Sequence, residues 1–164
     1  MCFAAFSASS ERRGQGLWVR AAGCMFCGIV AGEVPSHVVF EDEVTVAFLD
    51  RRPVFPGYAL LVPKEHVETL VDLPDGLLGP LFSNGRLLAA AMERGLGAHG
   101  SFVAINNRVN QSVPQHHVHA VPRRRKDGLR GFFWPRQKYD NEIEVRDAIR
   151  GAVAELSAAR GSGT

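Results

Sequence analysis

Three β-rich runs crowd into residues 37–62, separated only by turns. His37-Val38-Val39-Phe40 leads into the acidic turn Glu41-Asp42-Glu43. Thr45-Val46-Ala47-Phe48-Leu49 follows and is ended by Asp50 and the Pro53/Pro56-Gly57 punctuation, and the apolar run Tyr58 to Val62 stops at Pro63. Runs this close pair as an antiparallel meander, because parallel neighbours need a crossover of about a dozen residues or more. Leucines and other apolar residues then recur at helical spacing from Leu77 to Arg94, with Asp75 as N-cap and Gly95 and Gly97 as the stop. Pro80 and Gly85 count against the first half of that helix, which allows a start one turn later. A strand at Ser101–Asn106, a polar turn at Asn107–Asn110, a strand at Ser112–Pro122 and a last helix from about Asn141 to Ala158 complete the pattern. The fold class expected is α+β: a five-stranded antiparallel sheet with one long helix and a C-terminal helix.

At 164 residues the chain has room for one ordinary domain. We expect residues 1–22, rich in Ser, Gly, Ala and Arg, to be a flexible tail, residues 23–140 to be the domain, and residues 141–164 to be a helix and tail. A net charge of +2 is too mild to suggest a nucleic-acid partner, and no apolar run approaches the roughly 18 residues of a membrane span. The short apolar stretch Cys2–Phe6 precedes the pair Arg12-Arg13, the reverse of a secretory signal, so the expected location is cytoplasmic.

The most informative segment is Val113-Pro114-Gln115-His116-His117-Val118-His119-Ala120-Val121-Pro122-Arg123. Side chains alternate across a strand, which puts Gln115, His117 and His119 on one face and His116, Val118 and Ala120 on the other. Two adjacent imidazoles are costly in a core unless each finds a partner. They can be surface histidines, a metal pair, or a catalytic pair in which one attacks phosphorus and the other steadies the phosphoryl oxygens. The polar turn before them can offer backbone N–H groups to an anion.

The ordered set of motifs resembles the histidine triad family. It runs through Cys24–Ile29, Phe40–Asp42, Ala47–Asp50, Pro56–His66, Asn106 and Gln111-Ser112-Val113 to the histidine strand, and so covers most of the chain. The resemblance implies that His117, the middle triad position, is the nucleophile toward an α-phosphate and that His119 hydrogen-bonds the phosphoryl oxygens. It further implies Asp50 on the ribose hydroxyls, Ile29, Phe40, Phe48 and Leu49 at the base, Asn106 beside ribose and phosphate, and Gln111 and Ser112 at the α-phosphate. The first triad position is Gln115 in place of histidine. That departure bears on site support and metal binding more than on the attack itself. It also supports an alternative, a nucleotide-binding protein with little or no turnover. His116 falls where the family is apolar, and we expect it to be partly exposed on the wrong face.

The implied activity is hydrolysis or nucleotidyl transfer on a purine nucleoside phosphoramidate or dinucleoside polyphosphate, in a homodimer. Cys24 and Cys27 form a C-x-x-C, a metal or redox signal when read alone. The resemblance implies structural zinc on Cys24, Cys27 and His66. The fourth ligand would be the first triad histidine, here an amide, which is a poor zinc ligand. The run Arg123-Arg124-Arg125-Lys126 reads as a solvated loop, with contacts to further phosphates as the other possibility.

Overall fold

The computed structural model describes residues 18–129 and 141–161. The chain divides after Asp127 into two units. In the first unit, α1 spans Met25–Val30, β1 Val38–Glu41, β2 Thr45–Leu49, β3 Ala59–Pro63, α2 Asp75–Leu96, β4 Gly100–Ile105 and β5 Val118–Arg123. The strands form one antiparallel sheet in the order β1-β2-β3-β5-β4. In the second unit, α3 spans Glu142–Gly161. The aromatic patch Phe132-Phe133-Trp134 lies outside the described residues.

Two-residue periodicity divides the sheet into two faces. Ala47, Leu61, Val118 and Ala120 turn toward α2 and share a core with its Leu77, Leu81, Leu88 and Met92. Val46, Phe48, Leu60 and Val62 turn the other way and pack with Phe26 of α1. Full burial of Leu61 or Leu81 is worth about 1.5–3 kcal/mol each. The candidate site forms on the α1 face, which leaves α2 to brace the sheet from behind.

The β1–β2 turn is tied to α2 by Asp42. Its carboxylate accepts the Val44 N–H at 3.0 Å, the Thr45 N–H at 2.7 Å and the Asn84 amide at 2.6 Å. Burial pushes the Asp42 pKa up, but the hydrogen bonds from Thr45, Asn84 and Val44 outweigh it and hold the group below its ordinary value. Between β2 and β3, Gly57 has φ 94°, and a side chain there would run into Leu96 and Pro122.

Several expected boundaries move. The long helix begins at Asp75, earlier than expected, with Pro74 at the cap position and no side-chain cap bond. Pro80 falls in the second turn, where it removes a single backbone donor, and Gly97 closes the helix at φ 60°. The histidine strand begins at Val118 and not at Ser112. The polar stretch before it spends its backbone bonds outside the sheet ladder: Gln115 N–H donates to Val113 O at 2.8 Å and His116 N–H to the distant Val67 O at 2.6 Å. Of the tail expected to be flexible, the described part is held to the domain, since Val19 O accepts the His66 N–H at 2.9 Å and Arg20 pairs with Glu33 at 2.6 Å.

Candidate active site

Strand pairing decides which side chains meet. Leu60 lies opposite His119, so His119 shares the α1 face with Leu60. The His117 ring, immediately before the ladder, lies 4.7 Å from that of His119 and packs edge-on at 5.3 Å against Phe26. Both line a cleft of about 630 Å³ together with Ile29, Phe48, Leu49, Asp50 and Ser112. Three of the expected base-slot residues and the carboxylate are therefore gathered around the histidine pair, whereas Phe40, also expected there, packs against the core shared with α2 because its parity in β1 turns it to that face.

His117 is 3% exposed, and its Nδ1 lies 2.6 Å from the carbonyl oxygen of Gln115. A carbonyl only accepts, so Nδ1 carries the proton and Nε2 keeps its lone pair free. Burial lowers the His117 pKa, against opposing effects of the Gln115 bond and the Asp50 charge. The downward shift favours the neutral ring at neutral pH. Burial and the neighbouring His117 push His119 down to about 4, with Asp50 opposing.

Tyr58 was not singled out from the sequence. Its hydroxyl lies 2.5 Å from His119 Nδ1, and burial followed by the Asp50 charge pushes its pKa up to about 12. A phenol that stays protonated donates to Nδ1, which puts the His119 ring proton on Nε2. A signal for this contact was present: Tyr58 has the parity of Leu60, whose pairing partner is His119. The amide of Asn106 is 3.5 Å from His119 Nε2, too long to fix the tautomer.

Other candidates have structural duties. Asp50 accepts the Arg52 N–H at 2.6 Å, and the rest of its carboxylate faces the cleft. Gln111 lies outside the cleft lining and closes its own loop, accepting from Arg108 N–H at 2.7 Å and donating to Glu68 O at 2.6 Å. Asn110 adopts φ 58°, a conformation that asparagine enters readily. In the basic run, Arg124 donates to Gly97 O at 3.0 Å and also to Leu96 O, and Arg123 pairs with Asp127 at 2.6 Å. Arg51 and Arg52, also not singled out, line the cleft beside Asp50.

His116 corrects an expectation: it is fully buried, and neither ring nitrogen has a hydrogen-bond partner. Its parity points it to the α2 face, and strand alternation assigns a face without saying how deep that face lies. Burial, then the nearby His117, lowers its pKa to about 4.

Cys24, Cys27 and His66 bring their ligand atoms within 4.8 Å of one another. Cys27 Sγ lies 3.3 Å from His66 Nδ1. Gln115 fills the fourth corner: its Oε1 accepts from Cys24 Sγ at 3.0 Å and lies 3.6 Å from Cys27 Sγ, while its Nε2 donates to Pro63 O at 3.1 Å. That last bond fixes the amide with its oxygen toward the thiols. Three donors suit zinc and the fourth is weak.

The family comparison follows this geometry. Residues 31–126 match the HIT domain. The Bacillus subtilis protein hit is 34% identical over 137 residues, covering 82% of this chain and 94% of its own length. An adenosine 5'-monophosphoramidase of Saccharomyces cerevisiae is 36% identical over 120 residues, covering 73% of this chain and 74% of its own. The crystal structure of a Zn-bound histidine triad family protein from Mycobacterium smegmatis superposes with a TM-score of 0.63 at 34% identity, covering 84% of this chain and 97% of that one. With the HIT domain matched across more than half of this chain, and the sheet, cleft and histidine pair in place, the chain belongs to the HIT family.

Proposed function

We propose that this chain is a nucleotide hydrolase or nucleotidyl transferase that attacks the α-phosphate of a purine nucleoside phosphoramidate or dinucleoside polyphosphate. The observation that carries this is the 2.6 Å contact of His117 Nδ1 with the Gln115 carbonyl, which leaves Nε2 as a free lone pair in the cleft. Nε2 forms a bond to phosphorus as the bond to the leaving amine or phosphate breaks. Water then displaces the imidazole and releases the nucleoside monophosphate, or another acceptor displaces it and leaves carrying the nucleotidyl group. His119, with its proton on Nε2, stabilises the charge on the phosphoryl oxygens. Ile29, Phe48 and Leu49 hold the base and Asp50 holds the ribose hydroxyls. Ser112 and Asn106 serve the phosphate side, and Gln111 shapes the loop that carries Ser112. The similarity to an adenosine 5'-monophosphoramidase supports a phosphoramidate substrate.

Rapid quench into alkaline denaturant, in which the P–N bond of a nucleotidyl-imidazole survives, of protein incubated with α-³²P-labelled nucleoside phosphoramidate tests the assignment. Label should be trapped on His117 and be absent from His117→Ala. A second reading, nucleotide binding without turnover, is favoured by Gln115 in the first triad place, and a wild-type protein that binds nucleoside monophosphate but never becomes labelled would establish it.

Cys24, Cys27 and His66 are proposed to hold zinc, loosely because of Gln115, as a brace between α1 and the end of β3. Homodimerisation is proposed through the edge strand β4, where Phe102 and Val103 are exposed. Free thiols at Cys24 and Cys27 suit the reducing cytoplasm. In this reading residues 23–140 are the catalytic domain, preceded by a tail at 1–22 and followed by a helix and tail at 141–164.

A further inference from the structure

We propose that, whenever the weak fourth corner lets zinc leave, Cys24 and Cys27 are a reversible dithiol–disulfide pair that switches His117 between working and non-working geometry, an inference that rests on His117 being the reacting residue. Two connections join the thiols to the ring. Gln115 accepts from Cys24 at 3.0 Å through its side chain and from His117 Nδ1 at 2.6 Å through its backbone carbonyl. Phe26, which lies between the two cysteines in sequence, packs its ring 5.3 Å from that of His117.

The pair is also built for exchange. Cys24 borders a second cavity of about 520 Å³, lined by Arg20, Gly23, Met25 and Glu33 among others, whereas Cys27 is 1% exposed. An accessible thiol beside a shielded one is the arrangement of an attacking and a resolving cysteine. The two sulfurs lie within 4.8 Å, and the amide in the fourth corner satisfies their S–H groups without a metal.

The oxidant is a hydroperoxide. The Cys24 sulfur attacks its terminal oxygen, the O–O bond breaks, and an alcohol leaves with the proton of the thiol. The Cys27 sulfur then attacks the resulting sulfenic acid, forming the S–S bond and releasing water. Two electrons pass from the thiols to the peroxide, and an external dithiol returns them. Disulfide formation removes both S–H donors from the fully buried Gln115 oxygen. The amide must then reorient, which displaces the carbonyl that holds the proton of His117 and the loop that carries Phe26.

The test uses the full chain with Cys2→Ser, stripped of metal by chelator and treated with an organic hydroperoxide. Peptide mass mapping should show a Cys24–Cys27 link and the loss of two hydrogens. Phosphoramidase kcat should fall about fivefold or more and return with dithiothreitol, and the ring-nitrogen NMR signals of His117 should shift with it. In Cys24→Ser the ratio of treated to untreated kcat should stay at one. Absence of the disulfide, or a disulfide that changes neither kcat nor the His117 signals, overturns the proposal. A reduced protein without turnover would instead defeat the proposed function, and the NMR arm would still decide the switch.

Discussion

Removing the Tyr58 hydroxyl is the sharpest test of how the second histidine is controlled. Tyr58→Phe keeps the ring and its packing but deletes the 2.5 Å bond to His119 Nδ1. A neutral hydrogen bond is worth about 0.5–1.5 kcal/mol, and a half-buried acceptor left without its donor adds to that, so the expected loss is about 1–2 kcal/mol. If the bond orients His119 in the transition state, that loss appears as about a 5–30-fold drop in kcat with KM nearly unchanged. Steady-state hydrolysis of an AMP-morpholidate-type phosphoramidate reads both constants. In a His119→Ala background the same substitution should cost little, because its partner is gone. Tyr58 is pushed up to about 12 and His119 down to about 4, so neither changes charge between them, and the loss should be constant across neutral pH. Full kcat in Tyr58→Phe, or an equal loss in the His119→Ala background, would refute the argument.

Asp50→Asn should weaken nucleoside monophosphate binding by about 1–2 kcal/mol in calorimetry. It should hardly change binding of a dideoxyribose analogue, and equal losses would make Asp50 purely structural. Gln115→His should raise zinc content, measured by mass spectrometry on protein purified without added metal, by giving Cys24, Cys27 and His66 a fourth good ligand. The added thermal stability should vanish with chelator, and equal zinc in both proteins would refute this. His116 has a folded pKa near 4 against an ordinary 6.5, so the unfolded chain binds its proton first and stability is lost as pH falls from 6.5 toward 4. His116→Leu should therefore gain about 2 kcal/mol more over wild type near pH 5 than near pH 8 in urea unfolding, and a pH-independent difference would contradict it.

The sheet was legible because its strands are short, β-branched and bounded by turn residues: β2 has the expected limits, and β1 and β3 are displaced by one residue. The histidine pair was legible through strand parity, which places His117 and His119 on one face. Helix α1 was not, because its six residues have no amphipathic period and no side-chain cap. What holds it is tertiary: Phe26 against Phe48 at a centroid distance of 5.4 Å, and Cys27 beside His66. The burial of His116 escaped for a related reason, since the segment it docks on, where Val67 O accepts its backbone N–H, is 49 residues away in sequence. Gln115 was legible in the same way as the histidine pair, since its amide meets Cys24 and Cys27 on the α1 side, where His117 packs against Phe26; that the cysteines would be its partners was not, because the contact spans 91 residues.

The insertion of β5 between β3 and β4 has a consequence for synthesis. Among the described residues β4 has no ladder partner except β5, and one long edge of the fully buried β3 is closed only when β5 arrives. A nascent chain that has emerged only through Ile105 therefore carries an open apolar strand edge, the kind of surface that invites wrong pairing and chaperone capture. The same late strand delivers His119 and positions His117 just ahead of it. A chain ended before Val118 would thus lack both the strand that closes β3 and the second histidine of the cleft.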